Sequence, residues 1–134
     1  MVINYYTMEK NQYNKEGNRE GYWEVYSNGK LFYKGNYLNG KQEGYWEEYY
    51  NNGKLQYKGN YINGNKEGNW EVYSNGKLQY KGNYKNGKRE GYWEYYNKNG
   101  KLAFKGNYIN GERVGYWEFY YTNGKLDLMG YFVI

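Results

Sequence analysis

Five glutamates recur in one setting: Glu24, Glu47, Glu71, Glu94 and Glu118 each directly follow a tryptophan. Lysines and 23 tyrosines surround them. Carboxylates, amines and phenols are the raw material of general acid–base catalysis, and two carboxylates flanking a glycosidic bond are the simplest pairing they offer. The spacing argues against it. Glu47 and Glu48 are adjacent on an extended strand, so they point to opposite faces and cannot flank one bond. A carboxylate that returns in every unit fits a cross-strand partner for lysine better than a unique active site. The chain has no Cys and no His, which removes thiolate chemistry, disulfides, the commonest metal ligand and the usual neutral-pH base. None of the 20 glycines belongs to a phosphate-binding loop ending in Lys-Ser or Lys-Thr. The expectation is a non-enzymatic chain with no catalytic residue, no cofactor and no metal.

Binding chemistry is better represented. The net charge is +5 and the isoelectric point about 9.1. The charge is uneven: residues 68–90 hold Lys77, Lys81, Lys85, Lys88 and Arg89 against Glu71 and Glu90, an excess of three, while 44–67 balance. Basic residues interleaved with aromatics suit phosphate and stacked bases, so RNA stands as an alternative partner. Most of the aromatics, however, occupy fixed repeat positions that packing explains. Positions constant in every copy specify a stack, whereas positions that differ can encode a partner. Lys85 and Asn69 are the sharpest departures, which nominates Asn69, Gln79, Lys81, Lys85, Lys88, Arg89, Lys98 and Lys105 as the partner-binding set.

The elements that carry these residues come from an internal repeat. The motif G-[YN]-W-E opens at Gly21, Gly44, Gly68, Gly91 and Gly115, with spacings of 23 or 24 residues. The extra residue falls before an Asn-Gly or equivalent turn, at one hairpin tip, where insertions are tolerated. Asn-Gly accepts the positive φ of a tight hairpin, and two such turns per unit predict a continuous strand–turn–strand meander. The fold class is therefore all-β, an elongated single-layer antiparallel β-meander of stacked hairpin repeats. Residues 1–20 read as a half-repeat cap; 21–43, 44–67, 68–90 and 91–114 as full repeats; 115–134 as a partial repeat and cap, all in one domain. Alternation puts Trp, Leu, Tyr and Gly on one face and Glu, Lys and single Tyr residues on the other. The expected structural core is Trp23, Trp46, Trp70, Trp93 and Trp117 with Tyr33, Tyr57, Tyr80 and Phe104. Gly35, Gly59, Gly82 and Gly106 lie where a ring crosses bare backbone.

Mean hydropathy is −1.29, a value that usually signals disorder. Here it reflects tyrosine, which scores as polar yet buries a large ring. The opening MVINYYTMEK contains no apolar leader core and no run approaches membrane-spanning length, so the expected location is cytoplasmic.

The unit E-G-Y-W-E-x-Y-x-N-G-K-L-x-Y-K-G-N-Y-x-N-G-K resembles the bacterial variant of the MORN repeat, from about Gly21 to Gly130. The array is similar to those of the YwqK-type antitoxin family. The resemblance implies a repeat β-sheet that binds another macromolecule; relatives of this kind act as antitoxins or scaffolds, and some have been linked to phospholipid. A membrane partner is disfavoured, since the chain has no amphipathic helix or lipidation motif. A sheet with one wholly aromatic face must curl on itself, pair with a second copy through that face or the more apolar C-terminal edge, or be covered by a partner. The expected role is stoichiometric inhibition of a protein, a toxin for an antitoxin or immunity-type protein. The alternatives are a phage-borne, anti-CRISPR-like inhibitor of a bacterial defence nuclease, and an RNA-binding or membrane-associated scaffold.

Overall fold

Runs of alternating residues separated by Asn-Gly or similar steps leave the chain little choice but to double back every 11 to 13 residues. The computed structural model, which describes residues 9–133, shows β1 (Gln12–Tyr13), β2 (Arg19–Ser27), β3 (Lys30–Leu38), β4 (Lys41–Tyr49), β5 (Leu55–Ile62), β6 (Asn65–Ser74), β7 (Lys77–Lys85), β8 (Lys88–Tyr96), β9 (Leu102–Ile109), β10 (Glu112–Tyr120) and β11 (Leu126–Phe132). They form one antiparallel sheet in which every strand pairs with its neighbours in sequence. Eight residues of the expected N-terminal cap, 1–8, lie outside the described residues, as does Ile134.

The core is a chain of rings. Trp46, Trp70, Trp93 and Trp117 are almost wholly buried and Trp23 nearly so. All but Trp23 lie flat over a backbone glycine of the preceding strand: Trp46 over Gly35, Trp70 over Gly59, Trp93 over Gly82 and Trp117 over Gly106. A Cβ at any of these four glycines would fall inside the ring, so only glycine fits. Each of these four indoles also donates its N–H to the carbonyl of the residue after that glycine, on the preceding strand, from Trp46 to Asn36 at 3.0 Å through Trp117 to Asn107 at 3.2 Å. Between successive tryptophans stand Tyr37, Tyr61, Tyr84 and Tyr108, edge-on to both: Tyr61 is 6.0 Å from Trp46 and 5.0 Å from Trp70. Phe132 closes the row against Trp117 at 6.2 Å. Edge-to-face pairs of this kind contribute about 0.5–1.5 kcal/mol each beyond their burial. Tyr33, Tyr57, Tyr80 and Phe104 flank the row as tilted neighbours.

Strict alternation fails at one place in each unit. Tyr26 pairs with Leu31 while Val25 pairs with Tyr33, so Phe32 is an extra residue in a bulge. The same bulge sets Leu55 opposite Tyr49 and Leu78 opposite Tyr73. The expectation that these leucines share the tryptophan face is therefore corrected: a bulge shifts the register by one and turns them to the opposite face. A second irregularity loops out Gly44–Tyr45 between Glu43, paired with Asn36, and Trp46, paired with Gly35; Gly44 adopts φ 74°.

The two sets of turns differ. Asn28–Gly29 and Asn75–Gly76 are two-residue loops with both φ positive, but Asn52 is not left-handed where the loop is one residue longer. There Gly53 N–H donates to Tyr50 O at 2.9 Å and the Asn52 carboxamide accepts from Lys54 N–H at 2.9 Å. At the other edge the turns bond to the preceding unit. Gly64 N–H reaches Gln42 O and Gly87 N–H reaches Lys66 O, at 2.9 and 3.0 Å. Asn63 N–H donates to the Glu43 carboxylate at 2.7 Å, and Asn86 N–H to Glu67 at 2.8 Å. The glutamate that precedes each G-[YN]-W-E thus caps the next turn. In the last copy this position is Val114, which is buried.

Candidate functional site

On the face opposite the indoles, the motif Y-W-E-x-Y builds a clamp. Residues two apart on a strand share a side, so a glutamate lies between two phenols. Tyr22 and Tyr26 both donate to Glu24 at 2.8 Å. Tyr45 donates to one oxygen of Glu47 at 2.6 Å and Tyr49 to the other. A lysine from the preceding strand completes the set, with Lys34–Glu47 at 3.4 Å, Lys58–Glu71 at 3.3 Å and Lys105–Glu118 at 3.4 Å. The hydrogen bonds favour the ionised form of Glu24 and Glu71. Hydrogen bonds from Lys10, Tyr26 and Tyr22 lower Glu24 to about 2, and the Tyr73 phenol with Lys58 lowers Glu71. Burial, with a carboxylate acceptor beside it, pushes Tyr22 and Tyr73 each up to about 12.

The third unit breaks the pattern. Asn69 stands where the other copies have Tyr22, Tyr45, Tyr92 and Tyr116. Its short side chain leaves an open recess of about 400 Å³, lined by Asn69, Glu71, Lys81, Asn83, Tyr92 and Glu94 over the backbone of Trp70 and Gly82. Among the described residues Lys81 makes no ion pair within 4.0 Å, unlike its equivalents Lys34, Lys58 and Lys105.

The remaining nominated residues do not join this recess. Gln79 and Lys98 line a shallow groove at one long edge with Tyr96 and Asn97, whose buried amide nitrogen has no partner. Lys85 and Lys88 pair across the turn at the opposite edge. Lys105 is engaged with Glu118. Arg89 is on the indole face, its guanidinium 5.3 Å over Trp93 and 5.5 Å over Tyr108. Eight residues expected to act together thus fall at separate places on two faces and two edges.

Arg89 is one of a row. Arg19 lies 4.7 Å over Trp23, Lys66 4.8 Å over Trp70, and Arg113 4.6 Å over Trp117. Burial, with Arg89 nearby, lowers the Lys66 ammonium. Glu48 is on this face too, accepting from the Tyr57 phenol. The indole face is therefore not wholly aromatic, as alternation suggested; it is an aromatic floor under a line of cations. The signal was present in the residue two before each G-[YN]-W-E, which reads Arg19, Gln42, Lys66, Arg89 and Arg113.

The pattern of the MORN repeat variant matches residues 42–63, 66–86, 89–110 and 113–133, well over half the chain. The chain belongs to the MORN repeat variant family. Three of the four MORN matches begin at a cation above an indole, Lys66, Arg89 and Arg113, and the first begins at Gln42, which holds the same position; the first three end at the next Asn-Gly turn and the last ends after β11. Repeats of this family commonly bind proteins or membranes. The hairpin around Trp23 precedes the matched segments but carries the same indole, clamp and turn. No curated protein matches the chain. No helix among the described residues is long and apolar enough to cross a membrane.

Proposed function

We propose that this MORN-repeat chain is a non-catalytic protein-binding module that inhibits its partner stoichiometrically, as an antitoxin or immunity-type protein does. One observation carries the reading. Many of the polar groups that recur are taken up within the fold: glutamates in clamps and turn caps, three lysines in ion pairs with them, cations above rings. Asn69 occurs once, where one copy departs from the rest, and beside it Lys81 makes no ion pair among the described residues. A single set of unspent donors and acceptors beside exposed tyrosines suits recognition of one partner surface. The cations on the indole face support a second reading, an RNA partner, since aromatic and basic side chains together suit a phosphate backbone with stacked bases. Inhibition of a nuclease would draw on the same surfaces.

Affinity capture from the source cells at physiological salt tests the choice. One protein recovered in fixed molar ratio, retained when RNA is digested, is the expected outcome. Recovery of RNA alone, released as salt is raised, would replace this reading with the second.

A further inference from the structure

The recess beside Asn69 has a shape that the other copies explain. At the equivalent positions Tyr22 and Tyr45 donate to the first carboxylate oxygen of Glu24 and Glu47, at 2.8 and 2.6 Å, whereas Glu94 and Glu118 are held through Oε2 by Tyr96 and Tyr120. Glu71 keeps only half of that arrangement. Tyr73 and Lys58 both engage its second oxygen, Oε2, and among the described residues nothing donates to Oε1. Asn69 lacks the reach to do so, and Lys81 lines the same space without an ion-pair partner. The space therefore lacks one ring and one donor to Glu71, and the Lys81 ammonium, opposite Glu94 across the strands, has room there for a further acceptor.

We propose that this recess is a socket for a tyrosine side chain presented by a protein partner, whose phenol completes the clamp that Asn69 leaves open. The proposal rests on the protein-binding reading above and locates its contact. A phenol oxygen both donates and accepts, so it satisfies Glu71 Oε1 and the Lys81 ammonium together. Its ring replaces the missing one beside Tyr92 and over the backbone at Gly82. A phosphate or sulfate would meet two carboxylates, Glu71 and Glu94, across the same few ångströms, which disfavours an anion. A phenylalanine would leave both polar groups unpaired.

The probe is 4-methylphenol, titrated into the isotope-labelled full chain and followed by amide and side-chain chemical shifts. Saturable shifts confined to Asn69, Lys81, Asn83 and Tyr92, with a dissociation constant of about 1–10 mM, are expected for so small a ligand. Toluene should bind at least about fivefold more weakly, because it offers no hydroxyl. Asn69→Tyr fills the socket with the residue other copies carry, so it should fold and lose the shifts; Asn69→Phe should lose them as well. Absence of saturable shifts at the recess, equal binding by toluene, or shifts that persist in Asn69→Tyr would each overturn the proposal. Tighter binding by methylguanidinium would also overturn it, by making the socket one for arginine. If 4-methylphenol fails while a protein is captured, only the socket falls. If 4-methylphenol binds and no protein is captured, the phenol site stands and the protein-binding reading falls.

Discussion

At the scale of the residue, the tightest constraint is the glycine beneath each indole. Gly82 has no space for a side chain, because a Cβ would overlap the Trp93 ring. Ring and strand are both held, by the N–H bond to Asn83 and the edge-on contacts to Tyr84 and Tyr108. Gly82→Val should therefore destabilise the chain by about 2–4 kcal/mol, more than ordinary core overpacking. Gly76→Ala, at an open turn, should be milder despite its positive φ; urea unfolding of the two variants checks the order. The clamps make stability fall at both ends of the pH scale. Glu24 and Glu71 titrate below their ordinary value when folded, so their contribution is complete above about pH 4.5 and is lost as pH falls, toward about 2 for Glu24. Tyr22 and Tyr73 titrate above theirs, so their contribution is complete below about pH 10 and is lost as pH rises toward 12. Melting temperature measured against pH should form a plateau between these limits, and the phenolate absorbance of Tyr22 and Tyr73 should appear near pH 12 rather than near 10.

At the scale of the element, the two edges of the sheet should respond differently to insertion. The chain itself uses both a two-residue loop at Asn75–Gly76 and a longer one at Asn51–Gly53, and neither kind bonds backbone to backbone with an adjacent unit. One Asn inserted before Asn75 should therefore change stability by less than about 0.5 kcal/mol. The same insertion before Asn86 displaces two bonds to the preceding unit, Gly87 N–H to Lys66 O and Asn86 N–H to Glu67. It should destabilise by about 1–3 kcal/mol. Thermal melts of the pair decide. Asn-Gly and the tryptophan spacing made strands and turns legible from residues alone, because both signals are local. The bulge at Phe32 was not legible. It arises where a turn must close over strands already in register with the indoles, and alternation alone cannot show the slipped residue that turns Leu31 over.

At the scale of the whole molecule, each unit touches only its neighbours, yet a single file of rings from Tyr13 to Phe132 ties them together. The fold class followed from the repeat; the site followed only in part. Asn69 stood out as the copy that differs, and Lys81 lies beside it, since both are on the clamp face of adjacent strands. Gln79, Lys85, Lys88 and Lys98 share a unit or a charge but reach the two edges, because each strand carries the chain some 25–30 Å from one turn to the opposite one. Arg89 shares the charge but not the face, since two-residue alternation carries it over the indoles.

The most direct test of a stoichiometric binder is the mass of its complex. Light scattering on the full chain purified with its captured partner should give one species of fixed composition, unchanged by nuclease and by moderate salt. Asn69→Tyr should shift that species toward free components while melting no lower than the parent chain. A scattering mass equal to the chain alone, or a complex that nuclease dissolves, would contradict the protein-binding account.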